Sequence, residues 1–205
     1  MDRNQAVSDL DYLKTLAESG YNSPLLGGRI GLVWTSLVIP TLIIHGLILK
    51  GMIGIPIEQV GFIWLVYGIV GGVLTAILSR GVRAKKGAGT AVNQVSEVIW
   101  MTSSLLIFGF AISVVIGFSS GNLPQIAFNF IISVAFATSA MSQAVLARLT
   151  GEMYLKVAAI LAGVTMSATV ILASRPEVYF VAAAGVLLSG VIPSYIELGK
   201  EKASG

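Results

Sequence analysis

Six long apolar runs decide what this chain can fold into. Residues 30–49, 60–78, 98–118, 126–147, 157–173 and 178–196 are each about 17 to 22 residues long. A helix rises about 1.5 Å per residue and needs about 20 residues to cross a hydrocarbon layer of about 30 Å. All six are therefore candidate spans; the fifth, the shortest, is taken with its flanks as 155–174. Composition agrees. Only 11% of the residues are charged and 55% are hydrophobic, against about 25% and about 45–50% in a soluble domain. A chain this short of charge cannot clothe a water-facing surface, so its apolar side chains are expected to face lipid as well as one another.

The basic residues then orient the spans. Arg80, Arg83, Lys85 and Lys86 crowd the connection between the second and third runs, and loops with such an excess stay on the cytoplasmic side. With that loop inside, Arg3, Lys14, Arg29, Arg148, Lys156, Lys200 and Lys202 are also inside. Of 13 Lys and Arg residues, only Lys50 and Arg175 remain outside. One span more or fewer would destroy this alternation. The expected fold is an all-α integral membrane protein: a six-transmembrane-helix bundle preceded by a short amphipathic N-terminal helix, with both termini cytoplasmic. Residues 1–28 form the N-terminal segment, 29–197 the bundle and 198–205 a cytoplasmic tail. The compartment is a cell membrane, the inner one in a bacterium.

The N-terminal segment does not read as a secretory leader. It carries Asp2, Asp9, Asp11 and Glu18 and has no apolar run of the required length. Ser8 is a good N-cap, Asp11 stands at the capping-box position, and Val7, Leu10, Leu13, Leu16 and Ala17 make one apolar stripe that Gly20 ends. Such a helix lies against a bilayer or a bundle, or docks a cytoplasmic partner.

Small residues set how closely helices approach within lipid, where water does not drive them together. Gly68 and Gly72, then Gly109, Ser113 and Gly117, then Ala159, Gly163 and Ser167, then Gly185 and Ser189 form ladders on the second, third, fifth and sixth spans. They predict a tight bundle. Pro40 and Pro193 predict kinks in the first and sixth spans. Trp34, Trp100, Tyr154 and Tyr195 near inner boundaries, and Trp64 and Tyr179 near outer ones, are expected to act as interfacial anchors.

The search for chemistry yields mainly exclusions. No Asp, Glu, Lys or Arg lies inside any of the six runs, which argues against a pump coupled through membrane carboxylates. Glu97 begins the third span, where Arg29 or Arg148 is its expected partner. Cysteine is absent, so disulfides and thiolate metal sites are excluded. His45 is the only histidine; near the outer interface and without a second ligand, it reads as a hydrogen-bonded residue rather than a metal or haem ligand. The serines of Gly117-Phe118-Ser119-Ser120-Gly121 have no base to activate them. No catalytic residue, cofactor or metal is expected, and the protein does not read as an enzyme or as a partner of nucleic acid.

What is left is a set of polar residues on spans three to five: Thr102 and Ser103, then Asn129, Ser133, Ser139 and Gln143, then Thr165 and Ser167. Such groups either bridge helices or line a pocket for a small solute. In size and number of spans the chain looks superficially similar to the substrate-binding subunits of energy-coupling-factor vitamin transporters, with no motif matched residue by residue. Two functions are therefore expected. One is a non-enzymatic membrane component that assembles with or regulates a partner protein through residues 1–20 and the 80–87 loop, or with copies of itself. The other is a small-solute permease or the substrate-binding subunit of a transporter.

Overall fold

A computed structural model describes residues 24–85 and 87–203. The amphipathic stretch read over residues 7–20, Lys86 and the last two residues lie outside that description. Six helices are long and apolar enough to cross a membrane. They are α1 (Gly28–Leu49), α2 (Val60–Arg83), α3 (Ala91–Ser119), α4 (Ala127–Thr150), α5 (Met153–Ile171) and α6 (Glu177–Ala203). A 3-10 turn at Ile57–Gln59 leads into α2, and Leu187–Val191 within α6 is π-helical. No strand occurs among the described residues.

Helix ends run past the apolar runs. Arg80 and Arg83 belong to the last turn of α2, where basic side chains favour the negative end of the dipole; of the described topology-setting residues only Lys85 lies in the connection itself. Helix α3 starts at Ala91 rather than at 98. Helix α4 stops at Gly151, whose φ of 73° is the left-handed cap that glycine adopts without a Cβ clash.

The helices pack as a bent row in the order α2, α1, α6, α5, α4, α3, with side chains of α4 also reaching α6. Helix α6 is therefore central, although it comes last of the six along the chain. The main core joins Leu42 of α1, Ile132 and Phe136 of α4, Ala162 of α5, and Val178, Tyr179, Ala182 and Ala183 of α6. A second cluster, Leu25, Val92, Leu146, Ala147 and Leu155, closes the end that carries the basic connection.

Glycine sets the approach of α1 to α6, but not at the predicted positions. A Cβ on Gly28 would lie 2.7 Å from the backbone of Ser194 and Leu198, and one on Gly46 would lie 2.9 Å from the Phe180 ring. On the other side of α1, a Cβ on Gly71 of α2 would lie 2.5 Å from the Trp34 ring. Gly68, Gly72, Gly109 and Gly163 would each carry a Cβ into open space, so three of the four expected ladders face outward. Gly117 meets only Leu123 of its own connection. The ladder on α6 does pack: Gly185 faces Thr165 and Phe136, and Ser189 is buried.

The aromatic residues divide in the same way. Trp100 and Tyr195 are exposed. Trp34, Tyr67 and Trp64 instead interlock edge to face, with centroids 5.3 and 5.4 Å apart, and Tyr179 is buried. Trp34, Trp64 and Tyr67 thus fill the narrow contact of α2 with α1, where rings take the place of small side chains.

Candidate functional site

Three groups of polar side chains tie the helices together, and their placement decides between bridge and pocket. The first lies toward the end opposite the basic connection. Trp64 Nε1 of α2 donates to His45 Nδ1 of α1 at 3.1 Å, and the His45 ring stands 3.8 Å from that of Tyr179. Tyr179 of α6 donates to Asn129 Oδ1 of α4, and Asn129 Nδ2 donates to the Ala173 carbonyl just beyond α5, 2.6 Å away. His45 is thus an acceptor at Nδ1, so its proton sits on Nε2. Nearby, Lys50 and Glu177 pair at 2.8 Å.

The second group centres on Gln143, only 3% exposed. Its origin is Pro193, which has no backbone N–H to offer the carbonyl four residues earlier. That carbonyl belongs to Ser189, inside the π-helical turn, and Gln143 Nε2 donates to it at 2.7 Å. The amide also donates to Ser139 Oγ at 3.1 Å. Gln143 Oε1 is buried with no hydrogen-bond partner among the described residues. π-Turns of this kind recur at functional sites.

The third group consists of hydroxyl pairs. Ser142 gives its proton to the Thr138 carbonyl, so Ser103 of α3 must donate to Ser142, 2.9 Å away. Thr169 likewise gives its proton to the Met166 carbonyl, so Ser133 of α4 donates to Thr169 of α5, also at 2.9 Å. Thr165 bonds back to the Leu161 carbonyl and Ser167 to that of Gly163. Thr102 and Ser167 are on exposed faces. Of the eight polar positions singled out in the sequence, the structure therefore joins Ser103, Asn129, Ser133, Ser139 and Gln143 to bridging networks. It leaves Thr102, Thr165 and Ser167 outside them.

At the basic end, ion pairs replace amides. The carboxylate of Glu201, 6% exposed as a residue, lies against Lys85 and 3.5 Å from Arg29 Nε. It thereby gathers the start of α1, the basic connection and the end of α6. Loss of hydration there, and then the facing Arg29, hold the Lys85 ammonium below the ordinary lysine pKa. Lys200 pairs with Glu152 and lies 4.9 Å from the Tyr154 ring. Glu97 pairs with Arg83 at 2.6 Å, not with Arg29 or Arg148, because α3 begins two turns earlier than its apolar run and returns Glu97 to the end of α2.

Sequence reasoning missed Glu201 and the bridging roles of Trp64, Tyr179 and Ser189, which read there only as interfacial anchors and as part of a small-residue ladder. Only Ser189 left a signal, its position four residues before a proline. Among the described residues no three His, Asp or Glu side chains are grouped to hold a metal. No family model matches the chain, and neither a curated protein nor a solved structure does.

Proposed function

We propose that the chain is a multi-pass membrane protein, with its 84–90 connection in the cytoplasm, that acts without catalysis by assembling with or regulating a partner protein. One observation carries this reading: of the eight polar positions expected on α3 to α5, all but Thr102 hydrogen-bond to another helix or within their own helix, Gln143 through its amide nitrogen. A solute pathway would need such groups free along a common cavity. The outward faces of α2 and α3, the least covered of the six helices, and the basic end then become the places for contact. Copies of the same chain are within the scope of this reading.

Affinity purification of the full chain from its own membrane, after in-cell crosslinking, tests it. A protein that co-purifies, and is lost when residues 1–20 are deleted or when Arg80 and Arg83 are both changed to Ala, is the expected result. The permease alternative draws on Gln143 Oε1, a buried acceptor that a solute donor would satisfy. Saturable binding of a small solute, abolished by Gln143→Ala, would overturn the assembly reading in its favour.

A further inference from the structure

A shallow, open groove of about 340 Å³ lies on the outward face of α4, lined by Met141, Ala144, Val145, Arg148 and Leu149. Met141 to Leu149 spans about 12 Å along the helix axis. Its walls are apolar apart from that one guanidinium. Arg148 lies in the last turns of α4, at the basic end of the bundle.

Arg80, Lys156 and Lys202 have no ion pair among the described residues, and Arg148 shares that state but differs from them in lying on this apolar groove. Arg29 and Lys85 share Glu201, Arg83 has Glu97, and Lys200 has Glu152. Arg148 has no ion pair among the described residues, and it is the one charged side chain lining the groove. An occupant matching this geometry has an anionic head at the membrane boundary and a hydrocarbon chain running toward the bilayer centre. Guanidinium is well suited to phosphate, which it binds through paired N–H donors.

We propose that this groove is a binding site for an anionic phospholipid of the cytoplasmic leaflet. One acyl chain lies along Met141, Ala144, Val145 and Leu149, and the phosphate is held by Arg148. The site is separate from the polar networks and does not depend on the partner proposed above. It rests on that reading only for membrane insertion and orientation.

The test is native mass spectrometry of the full-length protein from vesicles of phosphatidylglycerol and phosphatidylcholine in equal amounts. The protein must first stay with the vesicles through an alkaline wash; release at that step would sink the insertion reading itself. One phosphatidylglycerol retained per chain is expected for the natural sequence. Arg148→Gln should reduce its retention about fivefold, the factor that about 1 kcal/mol per basic residue gives. Ala144→Trp, which fills the groove but keeps the charge, should reduce it as well, while Arg80→Gln should leave it unchanged. The inference is overturned if Arg80→Gln and Arg148→Gln act alike, or if Ala144→Trp retains the lipid as the natural sequence does. Both altered groove positions are exposed, and circular dichroism checks that each variant keeps its helices.

Discussion

Neighbouring glycines on α2 have opposite surroundings, and a single methyl group distinguishes them. Gly71→Ala drives a Cβ into the face of Trp34, whose Nε1 is held by Thr75 Oγ1 at 2.8 Å. That bond tethers the ring against the incoming methyl group, so a cost of about 1–3 kcal/mol is expected. Gly72→Ala and Gly68→Ala point into open space and should change stability by no more than about 0.5 kcal/mol. Thermal unfolding in detergent micelles compares the three; equal effects would mean that α2 does not dock through Gly71. The sequence showed the Gly68–Gly72 spacing but not its direction. Spacing fixes which residues share a face, whereas the partner of that face depends on which helix arrives beside it. At the opposite end, Asn129 and Tyr179 should be coupled. A double-mutant cycle of Asn129→Ala with Tyr179→Phe is expected to give about 0.6 kcal/mol, the mean for hydrogen bonds between membrane helices. A coupling of zero would remove this bridge from the account.

Within α6, a proline, a π-turn and a distant amide form one unit. Pro193 leaves the Ser189 carbonyl without its α-helical donor, and Gln143 supplies the missing proton from α4. Gln143→Leu in the natural background removes that donor from a buried acceptor and should cost about 1–3 kcal/mol. Pro193→Ala restores an N–H four residues after Ser189, so the same Gln143→Leu change should then cost clearly less. Unfolding midpoints of the four sequences decide the matter. Additive effects would show that the amide and the proline are independent. Pro193 was legible in the sequence as a kink, and Gln143 as a polar residue in a span. Their connection was not, because 46 residues separate Gln143 from Ser189, and no local pattern specifies which carbonyl a long side chain will reach. The same holds for Glu201. It lies in the segment read as a tail beyond the bundle, yet α6 continues one helix through it and carries the carboxylate to Lys85 and Arg29.

At the scale of the whole molecule, the six long apolar helices among the described residues were readable from hydropathy because length and composition alone specify them. Their lateral order was not, since hydropathy says nothing about neighbours. The orientation proposed here has a direct check, because the chain contains no cysteine and a single introduced thiol can be labelled without background. Gly54 and Gly89 lie at opposite ends, and a Cβ at either meets nothing within 4 Å. In intact cells a membrane-impermeant maleimide should label Gly54→Cys and spare Gly89→Cys until the cells are opened. The reverse pattern would invert the topology, and labelling of both would exclude a sealed six-span arrangement.

The central place of α6 bears on how the protein is made. Helix α1 leaves the ribosome early, but the surface formed by Gly28, Gly31 and Gly46 finds its partner only when residues 177–203 have followed. Until then α1 and α2 can form one hairpin and α3, α4 and α5 a second group, with no helix between them. Chains halted before α6 would therefore hold two unjoined halves, exposing small-residue surfaces to quality-control proteases.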